Sequence, residues 1–124
     1  SGFMTVQPKE LAAKIAAIAD EKKGKDILLL NMEGLSFMTD YFVIISAGNT
    51  TLVKAIADEI EDKLAQMGVH CTHKEGYSEG DWILLDFGDA VAHVFLDKER
   101  DFYNLEQLWA DAPSEAFKGS EDGE

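Results

Sequence analysis

Cysteine is nearly missing from this chain: Cys71 stands alone among 124 residues. A single thiol cannot close an internal disulfide, which fits a reducing, cytoplasmic setting. Basic residues are also few, eleven Lys and Arg against 24 Asp and Glu, giving a formal net charge of −13. A domain that grips a phosphate backbone needs a clustered basic footprint. Here the only concentrations are Lys22-Lys23-Lys25 and Lys98 with Arg100, so little direct nucleic-acid binding is expected. An acidic surface instead suits a basic partner, where opposite charge raises the encounter rate. No apolar run approaches the length that spans a bilayer and no signal-peptide pattern opens the chain, so no membrane association is expected. The length fits one domain with a core that needs no staples, and the apolar fraction of 46% is ordinary for a globular protein.

Motifs for chemistry are missing too. There is no GxxxxGK[ST] and no GxGxxG. No Asp-x-Asp or Asp-x-Glu pair falls on a predicted strand, as a two-metal transferase would need; the candidate acids Asp40, Asp86 and Asp89 are scattered. Asp86-Phe87-Gly88 spells the magnesium tripeptide of protein kinases, yet no kinase fits in this length. His70, Cys71 and His73 lack the second ligand pair that a structural zinc requires. Neither a metal nor a cofactor is expected.

What is present reads as alternating helices and strands. Ser1-Gly2-Phe3 ahead of Met4 looks like an expression scar, with the natural start expected at Met4 and residues 1–7 forming a lead. Residues 8–23 are a predicted helix: Pro8 suits the first position, Glu10 the positive end, and Lys22-Lys23-Gly24 the stop. Leu11, Ile15 and Ile18, with Ala12 and Ala19, make its apolar stripe. Ile27 to Leu30 is a continuous apolar run, the mark of a strand covered on both faces, and Tyr41 to Ala47 is a second. Ser46-Ala47-Gly48-Asn49 then opens a helix from about Thr50 to Met67, with Leu52, Ile56, Ile60 and Leu64 four apart, Val53 and Met67 beside them, and Gly68 at the end. That junction resembles a phosphate-binding helix terminus, but without a phosphate-loop motif it reads as a turn capped by Asn49 or Thr50. Val69 to Lys74 is a predicted short strand. Past Pro113 the chain turns polar and acidic, and residues 113–124 are expected to form a disordered tail. The order of elements is α/β, a mixed β-sheet covered by helices in a single domain.

The stretch from Asp81 to Ala112 is the most informative. Trp82 to Phe87 and Ala90 to Leu96 are strand-length apolar runs with only Gly88-Asp89 between them, the spacing of a tight hairpin. Alternation puts Trp82, Leu84 and Asp86 on one face of the first strand, and His93 with Phe95 on one face of the second. Arg100, Phe102, Tyr103, Leu105, Leu108 and Trp109 follow within ten residues. Trp, Tyr and Arg are the types enriched at binding hot spots, although Phe102, Leu105 and Leu108 read more simply as core. His93 is either a satisfied interior side chain or part of the Trp82 face. Asp86 would be costly if buried alone, so it is expected to be exposed or paired with Arg100.

The run Leu-Asp-Phe-Gly-Asp, Ala-His-Val-Phe and Arg-Asp-Phe-Tyr-Asn-Leu-Glu-Gln-Leu-Trp-Ala-Asp-Ala resembles the ribosomal silencing factor, or Iojap, family. Asp40-Tyr41-Phe42-Val43-Ile44 with Ser46-Ala47-Gly48-Asn49 matches the family's other marker. The resemblance covers roughly residues 8–112, the expected domain. It implies a sheet of nucleotidyltransferase-like topology and a non-enzymatic translation repressor. Such a factor binds the fourteenth protein of the large ribosomal subunit and sterically blocks subunit joining. The residues expected to meet that protein are Trp82, Leu84, Asp86, His93, Phe95, Arg100 and Tyr103. A homodimer off the ribosome could use the same strip. The alternative is a small nucleotide-binding or nucleotidyltransferase-like enzyme working at Gly48–Thr51 with Asp40 or Asp86.

Overall fold

Pro8 starts α1 (Pro8–Glu21), where its missing N–H leaves no bond unmade, and the Gln7 N–H donates to Glu10 Oε1 at 3.4 Å. The computed structural model describes residues 7–37, 39–103 and 112–118, the side chains of 101–103 excepted. Leu11, Ala12, Ile15, Ala16 and Ala19 form the buried face of α1, as its spacing predicts. After the helix it is Lys23, at φ 75°, that takes the left-handed turn. Gly24 is needed for space instead: a Cβ there would lie 2.8 Å from Ile45 Cγ2 and 2.9 Å from the Ala19 carbonyl oxygen.

The chain continues through β1 (Lys25–Asn31), β2 (Tyr41–Ala47), α2 (Thr50–Gln66), β3 (His73–Glu75), β4 (Trp82–Asp86), β5 (Ala90–Leu96), α3 (Asp97–Tyr103) and β6 (Ser114–Ala116). The strands form one mixed sheet in the order β3-β4-β5-β2-β1-β6, and β2 with β5 is its parallel pair. The predicted hairpin closes with the Phe87 N–H on the Ala90 carbonyl at 3.0 Å. Asn49 caps α2, its Oδ1 accepting from the Leu52 N–H at 2.8 Å.

Three expectations are corrected. Of the predicted 69–74 segment only His73 and Lys74 pair as a strand, which runs on to Glu75, because the Val69 N–H is still tied to the Leu64 carbonyl at the end of α2. Met67 lies at the C-cap and is exposed rather than part of the apolar stripe. Ser114–Ala116, placed in the expected tail, adds a sixth strand to β1, with the Phe117 N–H donating to the Ile27 carbonyl at 2.9 Å. The rest of that tail, residues 119–124, lies outside the described residues.

Both long helices cover the same side of the sheet. Val53, Ile56, Ala57, Ile60 and Leu64 of α2 and the stripe of α1 pack over Ile27, Leu29, Val43, Ile45, Ile83, Leu85, Ala92 and Val94. Burying each large aliphatic side chain there contributes about 1.5–3 kcal/mol before entropy is subtracted. The other side holds a second, smaller cluster of Leu30, Met32, Ile44, Phe95 and Ala112, and α3 packs against β5 and β2. Among the described residues no helix is long and apolar enough to cross a membrane.

Candidate partner-binding face

The side of the sheet away from α1 and α2 carries most of the residues singled out by alternation. Register sets Trp82 opposite Phe95, Leu84 opposite His93 and Asp86 opposite Val91, and on the next strand Ile44 opposite His93 and Ser46 opposite Phe95. Two sequence-predicted positions therefore lie side by side on β5 and three on β4. They differ in depth. Trp82, Leu84 and Asp86 are half-buried, whereas Phe95 is fully buried and His93 is 4% exposed.

Trp82 is the centre of this group. Its ring stacks on Phe95 at 4.8 Å between centroids, with 27° between the planes. Its indole Nε1–H donates to His93 Nδ1 at 3.0 Å. The His93 ring in turn meets the edge of Phe42 at 4.6 Å. An indole N–H can only donate, so Nδ1 carries a lone pair and the neutral ring holds its proton on Nε2. That nitrogen is buried and has no hydrogen-bond partner among the described residues. Burial pushes the His93 pKa down from 6.5 to about 4. His93 is thus interior, as the first sequence reading had it, with only Nδ1 satisfied among the described residues; the alternative, that it reaches the exposed surface beside Trp82 and Asp86, is corrected by its burial.

Asp86 and Arg100 sit at opposite ends. The Asp86 carboxylate accepts from the Gly88 N–H at 2.8 Å and holds the hairpin turn. Arg100 Nη1 donates to Ser46 Oγ at 2.8 Å and to the Asp26 carbonyl. The expected Asp86–Arg100 pair is corrected accordingly; Asp86 is partly exposed, which was the other expectation. Arg100 ties α3 to the start of β1. The side chain of Tyr103 lies outside the described residues, as do Leu105, Leu108 and Trp109. Phe42 was missed as a member of this face. Alternation along β2, which sets Phe42, Ile44 and Ser46 together, would have found it.

The geometry speaks against nucleotidyl transfer. A shallow cleft at the start of α2 is lined by Gly48, Asn49, Thr50, Leu96, Asp97 and Lys98. Asp40, Asp86 and Asp89 all lie at the far end of β2, whose seven residues span about 20 Å. The Asp40 N–H donates to the Asp89 carbonyl at 3.2 Å there. At the cleft itself, Asp97 is held by Lys25 Nζ at 2.8 Å. Cys71 donates its S–H to the His73 carbonyl at 3.2 Å, and burial raises its thiol pKa. A thiol so placed is a poor nucleophile at neutral pH.

Known proteins share both sequence and fold with this chain. The sequence model of a family described as "ribosomal silencing factor during starvation" matches residues 5–124. A ribosomal silencing factor of Bacillus subtilis is 50% identical over 101 residues, 81% of this chain and 86% of its own. The chloroplastic protein Iojap of Zea mays is 34% identical over 82% of this chain, which spans 44% of the plant protein. A crystal structure from Chromobacterium violaceum superposes with a TM-score of 0.78 at 34% identity, covering 86% of this chain and 88% of the other. On a match of this breadth, the chain belongs to the ribosomal silencing factor family.

Proposed function

We propose that this protein represses translation by occupancy: it binds the fourteenth protein of the large ribosomal subunit and keeps the small subunit from joining. The observation that carries the reading is the half-buried Trp82 ring, backed by Phe95 and hydrogen-bonded by His93, on the side of the sheet away from both long helices. A held aromatic ring with apolar neighbours is the kind of anchor that dominates protein interfaces. Trp82 and Leu84 would meet the partner directly, with Asp86 answering a basic side chain and Tyr103 extending the patch. Phe95 and His93 would act from beneath. A net charge of −13 favours a basic ribosomal protein over RNA. The mechanism needs no catalysis and no cofactor, and its place is the cytoplasm, where ribosomes work. A homodimer off the ribosome would cover the same strip and compete with binding.

The test is cosedimentation with purified large subunits, with and without small subunits. The protein should travel with free large subunits and reduce the yield of joined ribosomes, and Trp82→Ala should lose both effects. Full affinity in both Trp82→Ala and Tyr103→Ala would move the interface elsewhere. Sedimentation as a monomer at micromolar concentration would remove the dimer.

A further inference from the structure

His93 occupies a position that an apolar side chain would fill with less difficulty. Its ring is 4% exposed, between Leu84 and Ile44 in register and against Phe42 and Phe95. Its buried Nε2 finds no acceptor among the described residues, and a buried donor without an acceptor is unfavourable. Among the described residues, imidazole at this place therefore costs more than an apolar side chain would. What it gives in return is visible at the other nitrogen, where Nδ1 accepts from Trp82 at 3.0 Å. With Phe95 stacked on the ring, two contacts of different kinds hold the indole.

We propose that His93 is a positioning residue, whose Nδ1 holds the Trp82 indole in the orientation that meets the ribosomal protein. This rests on the docking face proposed above. Holding an interface side chain before the encounter removes part of the ordering cost of binding. Burial keeps the imidazole neutral at neutral pH, and the Nε2-protonated tautomer that the Trp82 contact requires leaves the Nδ1 lone pair for the indole. Among the described residues no charged group is hydrogen-bonded to it: Asp86 is held by Gly88, and Arg100 reaches Ser46 and the Asp26 carbonyl.

The experiment compares His93→Leu, which removes the acceptor, with His93→Asn, whose side-chain oxygen falls near the place of Nδ1. Nitrogen chemical shifts of the unmodified protein come first. They should report an Nε2-protonated tautomer for His93, and an indole N–H of Trp82, assigned by its absence in Trp82→Phe, that is hydrogen-bonded. In His93→Leu that resonance should move and exchange faster with water, and in His93→Asn it should stay. Affinity for large subunits should fall about fivefold in His93→Leu, the scale of immobilising one side chain, and recover in His93→Asn. An Nδ1-protonated tautomer overturns the proposal without any mutant having to fold. So does an unmoved indole resonance in His93→Leu, or an equal loss of affinity in both variants. Undiminished binding by Trp82→Ala would instead overturn the docking face, and the tautomer and indole results tell that failure apart from this one.

Discussion

The indole N–H of Trp82 and Nδ1 of His93 meet at 3.0 Å across β4 and β5, joining a half-buried ring to a buried one. The pair makes the fold sensitive to acid. The His93 pKa is lowered by burial from 6.5 to about 4. Between these values the unfolded chain binds a proton that the folded chain refuses. The contribution is therefore complete above pH 6.5 and is lost as pH falls towards 4, by about 3 kcal/mol in all. Among the described residues, Asp86, His73 and Glu75 lie on that face by register and Arg100 reaches it at Ser46, and none of them is hydrogen-bonded to His93. Urea unfolding followed from about pH 7 to about pH 4.5 should show the loss in the unmodified protein and a shallower one in His93→Leu. Parallel curves would mean that other groups govern the acid limb.

Gly76 approaches the same strand from the side of the β3–β4 turn. A Cβ there would lie 2.0 Å from the Trp82 carbonyl oxygen, at φ +82°. Gly34 has the same φ with nothing within 4 Å. The two alanine variants separate backbone strain from collision. Gly34→Ala should cost about 1 kcal/mol, the left-handed penalty alone. Gly76→Ala should cost about 3 kcal/mol or more, since backbone must move. Matching urea midpoints for the two would show that the β3–β4 turn yields easily.

Much of this was legible in the sequence, because it depends on local periodicity. The four-residue spacing of Ile56, Ile60 and Leu64 gave α2, Asn49 gave its cap, and Gly88-Asp89 gave the hairpin with its faces. What was not legible depends on distant pairing. Ser114-Glu115-Ala116 is exposed and has no pattern, and becomes a strand only because β1 offers an edge. The depth of His93 is set by Phe42 on β2, about fifty residues earlier in the chain. Arg100 finds Asp26 because β1 is irregular between Lys25 and Leu28, where Asp26 takes φ 51°. Alternation gives a face; only the assembled sheet gives depth.

Arg100 and Ser46 offer a test of that long-range tie. One guanidinium nitrogen serves both Ser46 Oγ and the Asp26 carbonyl. Arg100→Ala should destabilise by about 2 kcal/mol, the range of hydrogen bonds to a charged group. Arg100→Lys should recover part of this, since an ammonium lacks the planar fork. Combined with Ser46→Ala in a double-mutant cycle, the coupling should be about 1 kcal/mol. A coupling near zero would mean that Arg100 acts through the Asp26 carbonyl, and Ser46 would then be a neighbour only.

Asp86 is the place where stability and docking can be pulled apart. Its Oδ1 accepts from the Gly88 N–H at 2.8 Å, so part of its role is to hold the hairpin turn. Asp86→Asn keeps that acceptor and removes the charge, while Asp86→Ala removes both. The turn bond alone should make Asp86→Ala about 1 kcal/mol less stable, with Asp86→Asn near the unmodified protein. If the carboxylate also answers a basic side chain of the ribosomal protein, both variants should bind large subunits more weakly. Binding by Asp86→Asn should then depend less on salt than binding by the unmodified protein, because one charged contact is gone. Equal affinity and equal salt dependence for Asp86→Asn would restrict Asp86 to the turn. The partner would then be recognised by Trp82 and its apolar neighbours, with charge acting only at long range.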